Sequence, residues 1–196
     1  MGSVVKAPRV LLVCGSLNQT TQMHQIARAL PECATWFTPY YADGWLEQAR
    51  RLGLLEFTIL GRKLRRRCLD YLTSAGLPVD VGGRRGGYDL VVTCSDLTVP
   101  ENQHERRVVL LQEGILDPPS FGLGLWRRFP LLPRWLGGTA TTGLSRAYET
   151  FCVASEGYRE HFVAMGVPDE RVEVTGIPNF DDCRRYLDND LSLIHI

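Results

Sequence analysis

Polar side chains follow three short apolar runs of this chain, and they are the best candidates for chemistry. The run from Val10 to Val13 is followed by Ser16, Asn18, Gln19, Thr20 and His24. The run DLVVTC is followed by Asp96, and the run RVVLL is followed by Gln112 and Glu113. Such runs, rich in valine and leucine, are typical of strands buried on both faces of a parallel sheet. Because the carboxyl ends of parallel strands share one edge, we expect the three groups to face one crevice.

His24, Asp96 and Glu113 are the candidate catalytic residues. An imidazole titrates near neutral pH, so His24, expected in the first turn of a helix facing the crevice, is suited to general-base catalysis. The alternative for His24 is a helix histidine that is bonded locally. Asp96 or Glu113 could orient the imidazole or act as the base itself. Burial of a charge directly after VVLLQ is costly, which favours a function for Glu113.

The remaining polar residues of the crevice are expected to bind substrate. They are neutral hydrogen-bonding side chains: Ser16, Asn18, Gln19, Thr20 and Gln112. The amino end of the helix near Thr20 could in addition bind an anion.

Known nucleotide and metal motifs do not occur in this sequence. CGSLNQTTQ does not match G-x-G-x-x-G, and there is no G-x-x-x-x-G-K-[ST] and no G-x-S-x-G, so neither a phosphate loop nor a hydrolase nucleophile is supported. Six cysteines are scattered without a C-x-x-C pair, which favours reduced core thiols over disulfides or a metal site. We therefore expect no cofactor and no metal on this part of the protein.

Composition and charge narrow the class of protein further. The 196 residues contain 22 Lys+Arg and 22 Asp+Glu, and this balance argues against nucleic acid as the main partner. MGSVVKAPR lacks the apolar segment of a signal peptide, and no apolar run approaches the roughly 20 residues of a spanning helix. We expect a cytoplasmic protein.

Strand patterns alternate with helical patterns, which predicts an α/β fold with a Rossmann-like parallel sheet and helices on both faces. Pro39 indicates a strand end or a sheet edge, and the GGRRGG sequence at 82–87 indicates a loop. The predicted strands are Val10–Val13, Thr35–Tyr41, Asp89–Cys94, Arg107–Gln112, Thr150–Ala154 and Val172–Thr175. One predicted helix begins after Gln22. The other predicted helices span Gly44–Arg51, Leu54–Thr73 and Glu156–Met165.

The segment FGLGLWRRFPLLPRW, from Phe121 to Trp135, interrupts the alternation. Its prolines exclude a long helix, and its mixture of aromatic, aliphatic and cationic residues is typical of a membrane interface. We expect peripheral contact with the inner membrane face through Phe121, Trp126, Arg127, Arg128 and Trp135. The alternative is a loop folded over the domain, or a patch that another part of the molecule covers.

The predicted organisation is a tail at 1–8, a Rossmann-like domain at 9–181, the start of an interdomain linker helix at 182–190 and a non-native tail at 191–196. The final LSLIHI does not continue the helical pattern of DDCRRYLDND and resembles read-through of a sequencing adapter. We therefore expect the chain to be the front part of a larger protein.

The sequence CVASEGYREHFVAMGVPDERVEVTGIPNFDD resembles the end of the amino-terminal domain in GT-B glycosyltransferases. It is similar to nucleotide-sugar 2-epimerases, to CDP-glycerol glycerophosphotransferases and to capsule-polysaccharide enzymes. Gln112-Glu113-Gly114 resembles the E-A-G strand end of the 2-epimerases, and Ser95-Asp96-Leu97-Thr98 resembles their G-D-T strand end. The early G-T-R-P-E signature of the epimerases is replaced by GSLNQTTQ.

The resemblance implies the acceptor-side half of a two-domain GT-B fold, with the nucleotide-linked donor bound on a second domain. It implies a transferase that moves a sugar or glycerophosphate to a cell-envelope polysaccharide or lipid-linked acceptor, with His24 or Glu113 as the base; this half alone would be inactive. One alternative is a UDP-N-acetylglucosamine 2-epimerase-like enzyme in which Asp96 and Glu113 handle the protons. The other is a non-catalytic half-domain.

Overall fold

The computed structural model describes residues 6–56, 58–98, 100–103, 106–114, 124, 128–129 and 141–181. These residues form one sheet whose strands are β1 (Arg9–Cys14), β2 (Ala34–Pro39), β3 (Leu90–Thr93), β4 (Arg107–Leu111), β5 (Thr150–Val153) and β6 (Val172–Val174). The strand order is β2-β1-β3-β4-β5-β6, and all neighbouring strands are parallel. The predicted α/β class is therefore confirmed.

Helices cover both faces of this sheet. Within the described ranges they are α1 (Leu17–Ala29), α2 (Gly44–Arg51), α3 (Arg62–Ser74), α4 (Glu156–Ala164) and α5 (Pro178–Asp181). Val10 and Leu12 of β1 pack in one apolar cluster with side chains of α1 and α3, including Met23 and Leu72. Alternate residues of β1 pack in a second cluster, which includes Phe162 of α4.

The position of β1 explains why its sequence shows no polar alternation. β1 lies between β2 and β3, and its residues from Val10 to Cys14 are all buried. The chain leaves β1 for β2 on one side and returns to β3 on the other side. In sheets with such a reversal of strand order, ligands bind in the crevice at the carboxyl ends of the strands beside it, which here is the carboxyl end of β1.

The polar residues after β1 already belong to a helix, whereas the sequence predicted that this helix begins only after Gln22. Ser16 is the N-cap of α1, and its Oγ accepts a hydrogen bond from the backbone N–H of Gln19 at 3.1 Å. The helix therefore begins at Leu17, and His24 lies well past its first turn, which corrects the prediction for His24. The signal was present in the sequence, since Ser16 and Gln19 have the spacing of a capping box.

The expected helix from Leu54 to Thr73 is shorter at its amino end. α3 begins at Arg62, whose backbone N–H donates to Oε2 of Glu56 at 3.1 Å. The chain turns back on itself before Gly61, where an added Cβ would lie 2.5 Å from the carbonyl oxygen of Glu56. A helical stripe of leucines did not distinguish this turn from a helix.

The strand predictions agree with the structure to within one or two residues. β2 lies at the edge of the six-stranded sheet and ends at Pro39, as the missing N–H of proline requires. An isolated parallel bridge joins Phe37 to Val79 beyond that edge. Among the described residues, no helix is long and apolar enough to cross a membrane.

Several predictions fall on residues that the structure does not describe. In the segment from Phe121 to Trp135, the described residues include Arg128 and Phe129, and the Arg128 guanidinium carbon lies 6.0 Å from the centre of the Phe129 ring. Membrane contact through Phe121, Trp126, Arg127 and Trp135 lies outside the described residues, as do the linker helix at 182–190 and the tail at 191–196.

Candidate functional site

The Glu113 carboxylate lies at the amino end of α1 and accepts hydrogen bonds from three of its side chains. Ser16 Oγ donates to Oε1 at 2.7 Å, and Asn18 Nδ2 reaches the same oxygen at 3.4 Å. Gln19 Nε2 donates to Oε2 at 2.6 Å. We call these four residues the Glu113 cluster. The structure thus brings together the polar groups that follow β1 and β4.

Ser16 connects the helix cap to the carboxylate. Its hydroxyl oxygen accepts from the N–H of Gln19 while its proton is donated to Glu113. The negative charge therefore lies where unpaired N–H groups and the helix dipole favour an anion. Thr20, the next predicted substrate-binding residue, is fully buried and donates its hydroxyl to the carbonyl oxygen of Ser16 at 2.7 Å. Thr20 therefore stabilises the helix start and is not exposed to the crevice.

Gly15 makes room for the side chain of Gln19. A Cβ built on Gly15 would lie 2.2 Å from Gln19 Oε1, which is far below van der Waals contact. The amide of Gln19 thus packs over Gly15 with its oxygen while its nitrogen binds Glu113. Any larger residue at position 15 would move Gln19 and so change the cluster.

Gln112 supports the strand end that carries Glu113. Its Nε2 donates to the carbonyl oxygen of Gly114 at 2.8 Å, and its Oε1 accepts from the N–H of Ala154 at 2.9 Å. Its own carbonyl oxygen accepts from Nε2 of Gln22 at 3.3 Å. Gln112 is buried, and its side chain joins the end of β4 to the residue after β5. The structure therefore gives the predicted substrate-binding residue Gln112 a positioning role.

Asp96 holds a backbone segment with both carboxylate oxygens. Its Oδ1 accepts from the N–H of Gly143 at 3.1 Å, and its Oδ2 accepts from the N–H of Ser145 at 3.0 Å. The residue is only 3% exposed. In this geometry Asp96 holds the segment at 143–145, and its catalytic role stays a prediction.

His24 does not face the crevice, contrary to its prediction. Its Nδ1 lies 2.9 Å from the hydroxyl oxygen of Tyr71 in α3. The imidazole also packs edge-on against the rings of Phe37 and Tyr71, with ring centres 6.5 Å and 5.9 Å apart. Because α1 begins at Leu17, position 24 faces α3 and β2. The structure thus matches the alternative of a locally bonded helix histidine.

Tyr40 organises the chain after β3. Its hydroxyl oxygen accepts from the Thr98 hydroxyl at 2.8 Å and from the Thr98 N–H at 3.2 Å, and it lies 3.4 Å from Ser95 Oγ. Burial raises the pKa of Tyr40, so the phenol stays neutral near pH 7. Tyr40 therefore orders the residues on both sides of Asp96.

Sequence reasoning missed Asn179, which joins α5 to α1. Its Nδ2 donates to the carbonyl oxygen of Asn18 at 3.0 Å and to its Oδ1 at 2.8 Å. Its Oδ1 accepts from Gln25 Nε2 at 3.2 Å. Asn18 therefore contacts both Glu113 and Asn179, which are far apart in sequence. No local pattern in the sequence indicates this contact.

The described cysteines are free thiols. Cys14 and Cys68 are neighbours, and Cys68 Sγ lies 3.9 Å from the carbonyl oxygen of Cys14. The hydrogen bond with Cys68, together with burial, raises the pKa of Cys14, while the same bond lowers the pKa of Cys68. Within the described part of the chain, no group of three or more His, Cys, Asp or Glu side chains could hold a metal ion.

Comparisons with protein-family models, with curated proteins and with solved structures found no match to this chain. The geometry of the Glu113 cluster is therefore what bears on function.

Proposed function

We propose that this domain is the acceptor-binding half of a GT-B-type transferase. The reaction would move a sugar or glycerophosphate from a nucleotide-linked donor to a hydroxyl group of a cell-envelope acceptor. The observation that carries the proposal is the Glu113 carboxylate at the carboxyl edge of the sheet, held by Ser16, Asn18 and Gln19.

A carboxylate held in this way is suited to an acceptor hydroxyl. An ionised carboxylate offers about four lone-pair sites, and in the Glu113 cluster Oε1 accepts two hydrogen bonds while Oε2 accepts one. Oε2 thus keeps a lone pair that can accept the proton of the acceptor hydroxyl as its oxygen attacks the donor. Among the described residues, no lysine or arginine forms an ion pair with Glu113.

The position of Asp96 favours transfer over epimerisation. A 2-epimerase-like mechanism would use both Asp96 and Glu113 to handle protons on the sugar. Asp96 is only 3% exposed, whereas Glu113 is partly exposed, so a sugar can reach Glu113 without opening the packing around Asp96. A transferase needs only the one carboxylate on this domain.

The donor would bind on a second domain, and it supplies the leaving nucleotide. Lipid-linked or polymeric acceptors are suggested by the Phe121–Trp135 sequence, whose aromatic residues and arginines are typical of a membrane interface. These assignments follow from the family resemblance and the sequence of that segment.

The test incubates the longest form of the protein that its gene encodes with UDP-N-acetylglucosamine or CDP-glycerol, with and without a membrane fraction as acceptor. We expect nucleotide release that depends on the acceptor. Glu113→Gln should lower kcat by about 100-fold, the usual effect of losing a general base. Glu149→Gln is the matched control, because Glu149 forms an exposed ion pair with Arg107 and should keep full activity.

Three results would contradict the proposal. Epimer formation from UDP-N-acetylglucosamine without acceptor would show an epimerase. Full activity of Glu113→Gln would remove Glu113 as the base. Acceptor binding without nucleotide release from either donor would show a non-catalytic binding module.

A further inference from the structure

A cavity away from the Glu113 cluster lies between α2, the start of α3 and the turn at 81–84. Its volume is about 820 Å³, which is within the range of about 300–1,000 Å³ typical of small-molecule sites. Its wall includes Asp43, Glu47, Arg51, Arg65, Arg84 and Glu101. We call it the Arg65 cavity. It shares no lining residue with the Glu113 cluster.

The Arg65 cavity contains guanidinium groups that form no ion pair with any carboxylate in the described part of the chain. Among the described residues, no ion pair is formed by Arg65 or Arg84. Arg65 is half-buried, and burial lowers its pKa; the positive charges of Arg50 and Arg84 act in the same direction, and the charge of Glu47 acts against them. Two arginines whose charges repel each other on one cavity wall favour a bound anion, and the guanidinium fork matches a phosphate group.

The Glu47 carboxylate of this cavity is already paired with arginines. Glu47 Oε2 lies 2.6 Å from Arg50 Nε, and Glu47 Oε1 lies 3.0 Å from Arg51 Nε. These two ion pairs weaken the repulsion between Glu47 and an anionic ligand, although Glu47 still raises the pKa of Arg65. An anionic ligand is therefore not repelled strongly from this side of the cavity.

The cavity wall also carries hydrogen-bond acceptors. Asp43 Oδ2 accepts from the N–H of Glu101 at 2.6 Å, which leaves Oδ1 available, and Glu101 is itself exposed. The Asn102 amide is held between Tyr41 and the carbonyl oxygen of Gly82. Carboxylates bind hydroxyl groups and guanidinium groups bind phosphates, so the wall as a whole fits a molecule that carries both a phosphate and hydroxyl groups.

We propose that the Arg65 cavity binds a phosphorylated sugar or polyol, with Arg65 and Arg84 on the phosphate and Asp43 and Glu101 on the hydroxyls. This site does not depend on the proposed transfer reaction, because the two sites share no residue. A free sugar phosphate and a nucleotide-linked one carry the same sugar-phosphate chemistry, and the experiment distinguishes these two sources.

Isothermal titration calorimetry with sn-glycerol 3-phosphate, glucose 1-phosphate, UDP-glucose, inorganic phosphate and glycerol tests this proposal. We expect saturable binding of a sugar or polyol phosphate at millimolar concentrations or below, and none of glycerol. Binding of UDP-glucose alone would assign the nucleotide-linked form, and binding of glucose 1-phosphate or glycerol phosphate the free form. If inorganic phosphate binds as tightly as the sugar phosphates and the polyol phosphate, the proposal that the cavity recognises hydroxyl groups is overturned.

Variants identify the phosphate ligands. Arg65→Gln and, separately, Arg84→Gln should weaken binding by about tenfold each, as expected for one charge-assisted hydrogen bond. Arg66→Gln is the control for Arg65, because Arg66 is the next residue of α3 and its side chain is 85% exposed; its affinity should not change. Urea unfolding of each variant verifies that the fold is retained. Unchanged affinity in both Arg65→Gln and Arg84→Gln, or no binding of any phosphorylated probe, would overturn the proposal.

Discussion

At the scale of single residues, Glu113 and Asp96 follow neighbouring strands but have different partners. Glu113 is partly exposed and accepts from side chains of α1, and such donors can move when a ligand binds. Asp96 is buried and accepts from two backbone N–H groups. These donors cannot move unless the backbone itself moves. One carboxylate is thus suited to chemistry and the other to holding the structure.

Asp96→Asn tests this distinction. The amide would place an NH₂ group against the N–H of Gly143 or of Ser145, so that one buried hydrogen bond is lost and two donors face each other. We expect the free energy of unfolding to fall by about 2 kcal/mol, measured by urea denaturation. The exposed variant Glu149→Gln should change it by less than about 0.5 kcal/mol. A stability of Asp96→Asn equal to that of the wild type would show that these two bonds contribute little.

At the scale of elements, α1 and α2 are stabilised at their ends in different ways. α1 has a serine N-cap whose hydroxyl binds the first turn. α2 has Asp43 at this position without a side-chain cap, because Asp43 binds the N–H of Glu101 instead. Within α2, Glu47 accepts from both Arg50 and Arg51, one helical turn away. α2 therefore depends on ionised side chains more than α1 does.

Stability should consequently respond to pH through Glu47. The hydrogen bond from Arg50 lowers the pKa of Glu47 to about 2, from an ordinary value of 4.5. Since the pKa in the folded state is the lower one, the stabilisation is present above the ordinary value and is lost as the pH falls towards 2. We expect a contribution of about 1 kcal/mol because the pair lies near the surface.

Urea denaturation of the wild type and of Glu47→Gln at several pH values measures this contribution. The variant should be less stable near neutral pH, and the two proteins should converge in acid. A difference that stays constant over the whole range would contradict the role of the Glu47 charge.

At the scale of the whole molecule, contacts between distant segments join the strand ends into one surface. Ser16 joins α1 to the residues after β4, Gln112 joins β4 to the chain after β5, and Asp96 joins the chain after β3 to Gly143. The hydroxyl of Tyr148 in turn donates to the carbonyl oxygen of Gly143. Asp96 and the buried Tyr148 thus both hold Gly143 in place.

Two glycine variants measure how tightly this segment is packed. Gly143 has φ +85°, and an added Cβ would lie 2.9 Å from Phe151 Cε1 and 3.1 Å from Val167 Cγ2, whereas Gly166 has φ +105° and open space. Both alanine variants should lose about 1–2 kcal/mol for the left-handed backbone, and Gly143→Ala about 1–3 kcal/mol more for overpacking. Thermal and urea unfolding give both values. Equal losses would mean that Phe151 and Val167 move aside at little cost.

Local sequence patterns determined much of this protein. Runs of aliphatic, β-branched or aromatic residues located all six described strands to within one or two residues, and Pro39 correctly indicated an edge or a strand end. These features depend on near neighbours, because backbone preferences and apolar periodicity act over a few residues. The polar residues after β1 and β4 were expected at one edge because parallel strands place their carboxyl ends together.

Only the tertiary structure decided which of those residues meet. The prediction from sequence started the helix after Gln22, and His24 was therefore expected in the first turn, facing the crevice. In the structure the helix starts after the cap at Ser16, and His24 contacts Tyr71 instead. The prediction gave Asp96 and Glu113 the same role, and the sequence contained no sign of Asn179. Hydrogen-bond partners such as Glu113 and Ser16, or Asp96 and Gly143, lie far apart in the chain. Their pairing depends on strand order and on burial, which no local stretch of sequence specifies.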